Sequence, residues 1–96
     1  MRTASPIEFD GLLWRYGGPS SWVFVTVPEA MAFPPMSGFG RTPVRARVTG
    51  GAWWPTSTWW DTRSSATLLA VPKRVRGPLD HGDRVHVELE LDPSRL

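Results

Sequence analysis

Cysteine is absent from these 96 residues, which excludes disulfides and thiolate metal sites and fits a reducing cytoplasm. No apolar run approaches the roughly 20 residues a helix needs to span a bilayer. The opening MRTASPIEFDG has no apolar signal core either. The expectation is a soluble, unexported, cytoplasmic protein with no membrane partner. Lysine is nearly missing: Lys73 stands alone, and the other cations are arginines that never titrate near neutrality. Net charge is only +2, too small a surplus to mark a general nucleic-acid binder. Long helical periods are absent as well, and the chain is predicted to be predominantly β, with no helix longer than about two turns.

What is present is alternation. From Val71 to Leu91 the chain reads VPKRVRGPLDHGDRVHVELEL, a one-turn corner helix, a turn at Gly82-Asp83, and then a strand. In that strand Val85, Val87, Leu89 and Leu91 alternate with Arg84, His86, Glu88 and Glu90, one face buried and one wet. Pro72 suits a first helical turn because its missing N–H would be unpaired there anyway, and Gly77-Pro78 stops the helix almost at once. Gly82, directly before a clean alternation, is expected to take a positive φ.

Residues 1–6 read as a flexible leader, 7–92 as one β-barrel domain and 93–96 as a tail. Ile7 and Phe9 alternate with Glu8 and Asp10, while beyond Gly11 the large residues fall on Leu12, Trp14 and Tyr16, the opposite parity. A glycine at such a change predicts a bulge. Tyr16 to Ser20 is a turn, and Trp22 to Val27 is a strand apolar on both faces, which places it centrally. Glu29 to Ala32 makes at most one helical turn before the proline-rich loop that runs through Phe33 to Phe39. Val44, Ala46 and Val48 give another strand and Gly50-Gly51 a hairpin turn. AWWPTSTWW from Ala52 to Trp60 returns with Pro55 in its middle, which predicts an edge or a bulged strand. The total is about six strands with two short corner helices, one after each Val-Pro step, and closure into a small all-β barrel removes the exposed edges.

The residues Phe9 to Leu12, Trp22-Val23-Phe24-Val25-Thr26-Val27-Pro28, Val44 to Val48, Gly51, Thr56-Ser57, Leu68-Leu69 with Val71, Lys73, Arg76 and Gly82-Asp83-Arg84-Val85 carry a resemblance. Across Ile7 to Leu91 the chain resembles the family of domain of unknown function 1905. That resemblance implies a double-split β-barrel distantly related to the AbrB and MazE class, and it implies no activity. The chain departs from the family pattern where the proline-rich loop replaces the helix after the first Val-Pro, and in its pairs Trp53-Trp54 and Trp59-Trp60.

Those indoles are the sharpest chemical feature. Trp53 and Trp59 share strand parity, as do Trp54 and Trp60, so an unbroken strand turns one pair in and the other out. Six tryptophans overfill a barrel this small, and an aromatic cleft roofed by the loop Phe33 to Phe39 would use the surplus. The expected ligand-binding residues are Trp53, Trp54, Trp59 and Trp60, with Arg45 and Arg47 on one strand face as holders of a carboxylate or phosphate. The expected partner is a small apolar or aromatic molecule, with a cyclase- or isomerase-like role as an enzymatic extension and a homodimer as a further expectation. The alternative is a DNA-binding or regulatory module using Lys73, Arg74 and Arg76, against which Asp80, Asp83, Glu88 and Glu90 would repel the same phosphates. His81 and His86 have acidic neighbours, but no spacing specifies a metal site, a cofactor or a catalytic triad.

Overall fold

The computed structural model describes residues 6–15, 17, 22–32, 40–92 and 94. Seven strands form one sheet in the order β1-β7-β4-β5-β6-β3-β2. They are β1 (Ile7–Leu12), β2 (Trp14–Arg15), β3 (Val23–Val27), β4 (Arg41–Val48), β5 (Trp54–Asp61), β6 (Ala66–Ala70) and β7 (Arg84–Leu91). Every pairing is antiparallel. The helical elements among the described residues are a 3₁₀ turn at Glu29–Met31, after Val27-Pro28, and the helix α1 (Lys73–Arg76), after Val71-Pro72. Both corners fall where the Val-Pro steps put them.

The two outermost strands in that order, β1 and β2, are consecutive pieces of one segment. β1 pairs with β7, whereas β2 pairs with β3, so a single stretch of chain spans the gap between the sheet's ends and brings it nearly to closure. Leu13 is the hand-over point: its N–H donates to the Asp83 carbonyl at 2.9 Å and its carbonyl accepts from Gly82 N–H at 2.8 Å. One segment serving two edges is why the expected six strands become seven.

The expected bulge at Gly11 is not there. Pairing runs without interruption from Ile7↔Leu89 to Leu12↔Arg84, and the inward parity set by Phe9 continues to Leu13, which is buried, while Leu12 is exposed. Sequence reading gave weight to the bulk of Leu12 and Trp14. The fold instead buries Leu13 and turns Trp14 outward onto Phe24. Pro55 also reads differently in the structure, since β5 is interior in the sheet order. It pairs with β4 over residues 54–59 but with β6 only over 58–61, so Pro55 lies where β5 has one neighbour and its missing N–H costs no ladder bond.

The core is the inner face of the barrel. Val23, Val25 and Val27 from β3, Val44, Ala46 and Val48 from β4, and Val85, Val87 and Leu89 from β7 alternate into it, joined by Phe9, Leu13, Trp54, Leu69 and Val71. The period-two stretches of the sequence therefore supply most of the interior. Gly82 has φ +91°, with open space where a Cβ would stand, so Gly82→Ala meets only the backbone penalty. The expected loss is about 1 kcal/mol, read as a lower denaturation midpoint. An unchanged midpoint would show that the turn tolerates an L side chain.

Candidate functional site: an aromatic cluster outside the barrel

On β3 the side chains of Phe24 and Thr26 point opposite to the core valines. The register places Phe24 opposite Ala70, Thr26 opposite Leu68, and Leu68 in turn opposite Trp59, while β2 sets Trp14 opposite Phe24. Four strands thus deliver large apolar side chains to one patch of the outer face. Phe24 and Leu68 are 5% and 3% exposed, yet neither belongs to the inner core cluster. They are buried by the aromatic layer above them.

Phe24 is the hub of that layer. Its ring lies 5.3 Å from Trp14, 5.8 Å from Trp59 and 6.5 Å from Trp22, the last nearly parallel at 17°, separations at which aromatic pairs attract. Trp14 anchors its polar end by donating Nε1–H to Thr26 Oγ1 at 3.0 Å. Trp59 has no such anchor: its indole N–H is shielded from water and meets no acceptor among the described residues. The Arg41 guanidinium stands 5.6 Å from the Trp59 ring centre, within cation–π range. Trp22 is 67% exposed. Between these groups is a cleft of about 270 Å³ lined by Trp22, Arg41, Thr56, Ser57, Trp59 and Ala70.

The residues singled out in the sequence divide among four places. Trp59 lines the cleft. Trp53 lies on the same outer face at the far end of the strand, six residues or about 20 Å away, beneath Arg47 at 4.9 Å and Arg45 at 5.7 Å. Those arginines are already engaged, Arg47 gripping both Glu88 oxygens at 2.7 and 3.0 Å and Arg45 meeting Glu90 at 2.9 Å. An anion there would first have to displace a carboxylate. The Arg47 hydrogen bonds also hold Glu88 below the usual carboxylate range. Trp54 is packed into the core at 6% exposure, and Trp60 emerges at the end of β5, half exposed. The loop Phe33 to Phe39, expected as a roof, lies outside the described residues.

Sequence reading missed Trp22, Arg41 and the hub Phe24 as members of one site. The signal available was the run Trp22 to Val27, apolar on both faces, which requires cover on both sides of β3. What it could not supply was the register that brings Trp59 beside it.

The outer face of β1 and β7 carries a separate polar cluster. His86 Nδ1 lies 2.8 Å from Asp10 and Nε2 lies 2.9 Å from Glu8, so both carboxylates favour the imidazolium. Hydrogen bonding to Asp10 first, then to Glu8, raises the His86 pKa. A raised folded pKa adds stability that is complete below the unfolded value of about 6.5 and is lost as pH climbs through the folded value. Stability is therefore expected to fall as pH rises from 6 through neutrality, and His86→Gln should flatten that slope. Parallel pH–stability curves for the two proteins would remove His86 as the cause. Among the described residues no group of three or more His, Asp and Glu side chains is arranged to hold a metal ion. Among them, too, no helix is long and apolar enough to cross a membrane.

A family model described as domain of unknown function (DUF1905) matches residues 9–92, which takes in every strand from β2 to β7 and most of β1. No curated protein matches the chain.

Proposed function

We propose, for a chain that belongs to the DUF1905 family, that the barrel is a small-molecule binding module whose site is the outer-face cleft between Trp22 and Trp59. The observation that carries this reading is the second apolar layer itself. Trp14, Trp22, Phe24 and Trp59 form an aromatic cluster outside the closed core. A patch of that kind invites association unless something covers it. The ligand that matches the walls is flat and largely apolar, lying against Trp22 and Trp59, with Thr56 and Ser57 on the polar side. At about 270 Å³ the cleft lies just below the usual drug-sized range of about 300–1,000 Å³, so the ligand is small.

The test is a titration with 2-naphthol followed through the indole N–H resonances. Trp22 and Trp59 are expected to shift together, with Trp53 and Trp54 unmoved, and Trp59→Ala should weaken binding about tenfold, the scale of one lost aromatic contact. Movement of Trp53 in place of Trp59 would assign the ligand to the arginine-covered end of β5. No movement of any indole would end the proposal.

A further inference from the structure

Across the Trp22 side chain from the aromatic cleft is a second hollow, about 230 Å³, lined by Trp22, Val23, Val71, Pro72, Lys73 and Arg76. Its walls come from the Val-Pro corner and from the start of β3, which are held together by the Val71 N–H donating to the Val23 carbonyl at 2.9 Å. The helix α1 then carries Lys73 and Arg76 to one side of the hollow, while Trp22, Val23, Val71 and Pro72 form the apolar remainder.

The state of the two cations gives this hollow its chemistry. Arg76 donates from Nη1 to the Val71 carbonyl at 2.8 Å, which fixes the guanidinium against the corner. Its Nε is shielded from water and has no acceptor among the described residues. No carboxylate among the described residues lies within ion-pair distance of Lys73 or Arg76. Asp80 acts on Arg76 through charge at longer range, while its short contacts go to the Arg15 guanidinium and to the His81 amide. The contrast with the other arginine face is direct. There Arg45 and Arg47 are balanced by Glu90 and Glu88, whereas here a pinned guanidinium and an ammonium line an apolar hollow with no carboxylate among the described residues in direct contact with either. A fixed guanidinium beside low-dielectric walls binds carboxylate or phosphate oxygens more strongly than a mobile surface cation does.

We infer that the corner hollow binds a small amphipathic organic anion, a carboxylate or phosphate monoester, whose charged end meets Arg76 and Lys73 and whose apolar body lies against Trp22. The site shares Trp22 with the aromatic cleft but uses neither Trp59 nor Arg41, so the two assignments fail separately. Duplex nucleic acid offers the same phosphate oxygens, but its bases are stacked inside and would leave the Trp22, Val23 and Val71 walls unused.

Matched probes test the assignment: naphthalene-2-carboxylate and its uncharged amide, titrated calorimetrically against the full chain and its variants. The carboxylate is expected to bind about tenfold tighter than the amide and to shift the Trp22 indole N–H. Lys73→Gln should reduce that preference and Arg76→Gln should abolish it, while Arg41→Gln leaves it intact. Because Arg76 also braces the corner, Lys73→Gln, an exposed substitution, keeps the test decisive if Arg76→Gln fails to fold. Equal affinity for acid and amide would overturn the inference, as would a preference removed by Arg41→Gln. A duplex oligonucleotide that displaces the carboxylate with steep salt dependence would also overturn it, in favour of nucleic acid.

Discussion

Trp54→Ala is expected to destabilise the protein by about 3–5 kcal/mol, while Trp60→Ala, six residues along the same strand and of the same parity, is expected to cost about 1 kcal/mol or less. The difference comes from where the barrel places each indole. Trp54 stands opposite Ala46 on β4, and the small alanine side chain leaves room for the indole inside. There it is 6% exposed and contacts the valine-rich core. Truncation would leave a cavity among residues already held by seven strands, so little collapse can refill it. Trp60 stands at the end of β5 and is 45% exposed, so water replaces much of what is removed. A single domain of this size is stable by only about 5–15 kcal/mol, and the first substitution takes a large part of it. Urea denaturation at constant slope reads both values. Equal losses would show that the inward and outward assignment along β5 is wrong.

The same strand shows how far sequence reading reaches. Parity correctly ties Trp53 to Trp59 and Trp54 to Trp60, because alternation is a local property of an extended chain. It does not say which pair is inside, and it cannot show that Trp60, at a strand end, escapes the environment its parity predicts. The strands around Val44 to Val48 and Val85 to Leu91 were legible for the same local reason, as were the two Val-Pro corners. Leu13 was not: its role depends on the chain leaving β7 and joining β3, two strands far apart in sequence order, and the shared parity of Leu12 with the bulky Trp14 and Tyr16 favoured Leu12. The cleft was the least legible part. Trp22, Phe24 and Trp59 meet only because β6 sits between β3 and β5 with Leu68 opposite both Thr26 and Trp59, and long-range register leaves no periodic trace in the chain.

Where β1 meets β3 there is a close approach at Gly11, and Gly11→Ala is expected to expose it with a loss of about 1–3 kcal/mol. A Cβ built at Gly11 would stand 2.7 Å from Val25 Cγ2, far inside van der Waals contact. Neither partner has room to yield. Val25 is wholly buried and its backbone is paired to Leu69, while Gly11 is paired to Val85 on the other side. β1 and β3 share no ladder where they meet, so the barrel completes its circumference there by side-chain packing, and a glycine is what lets β1 come close enough. Gly11 does not lie in the left-handed region, so alanine adds no backbone strain and the loss reports the steric contact itself. Trimming the other partner should then relieve it. Val25→Ala alone removes buried methyls at a cost of about 2 kcal/mol, but added to Gly11→Ala it opens the space that the new Cβ needs. The double variant is therefore expected to be more stable than the sum of the two single losses by about 1 kcal/mol or more, a coupling that residues out of contact do not show. Additive losses in denaturant titrations would mean that β1 and β3 do not touch at this point and that the barrel is open along that seam.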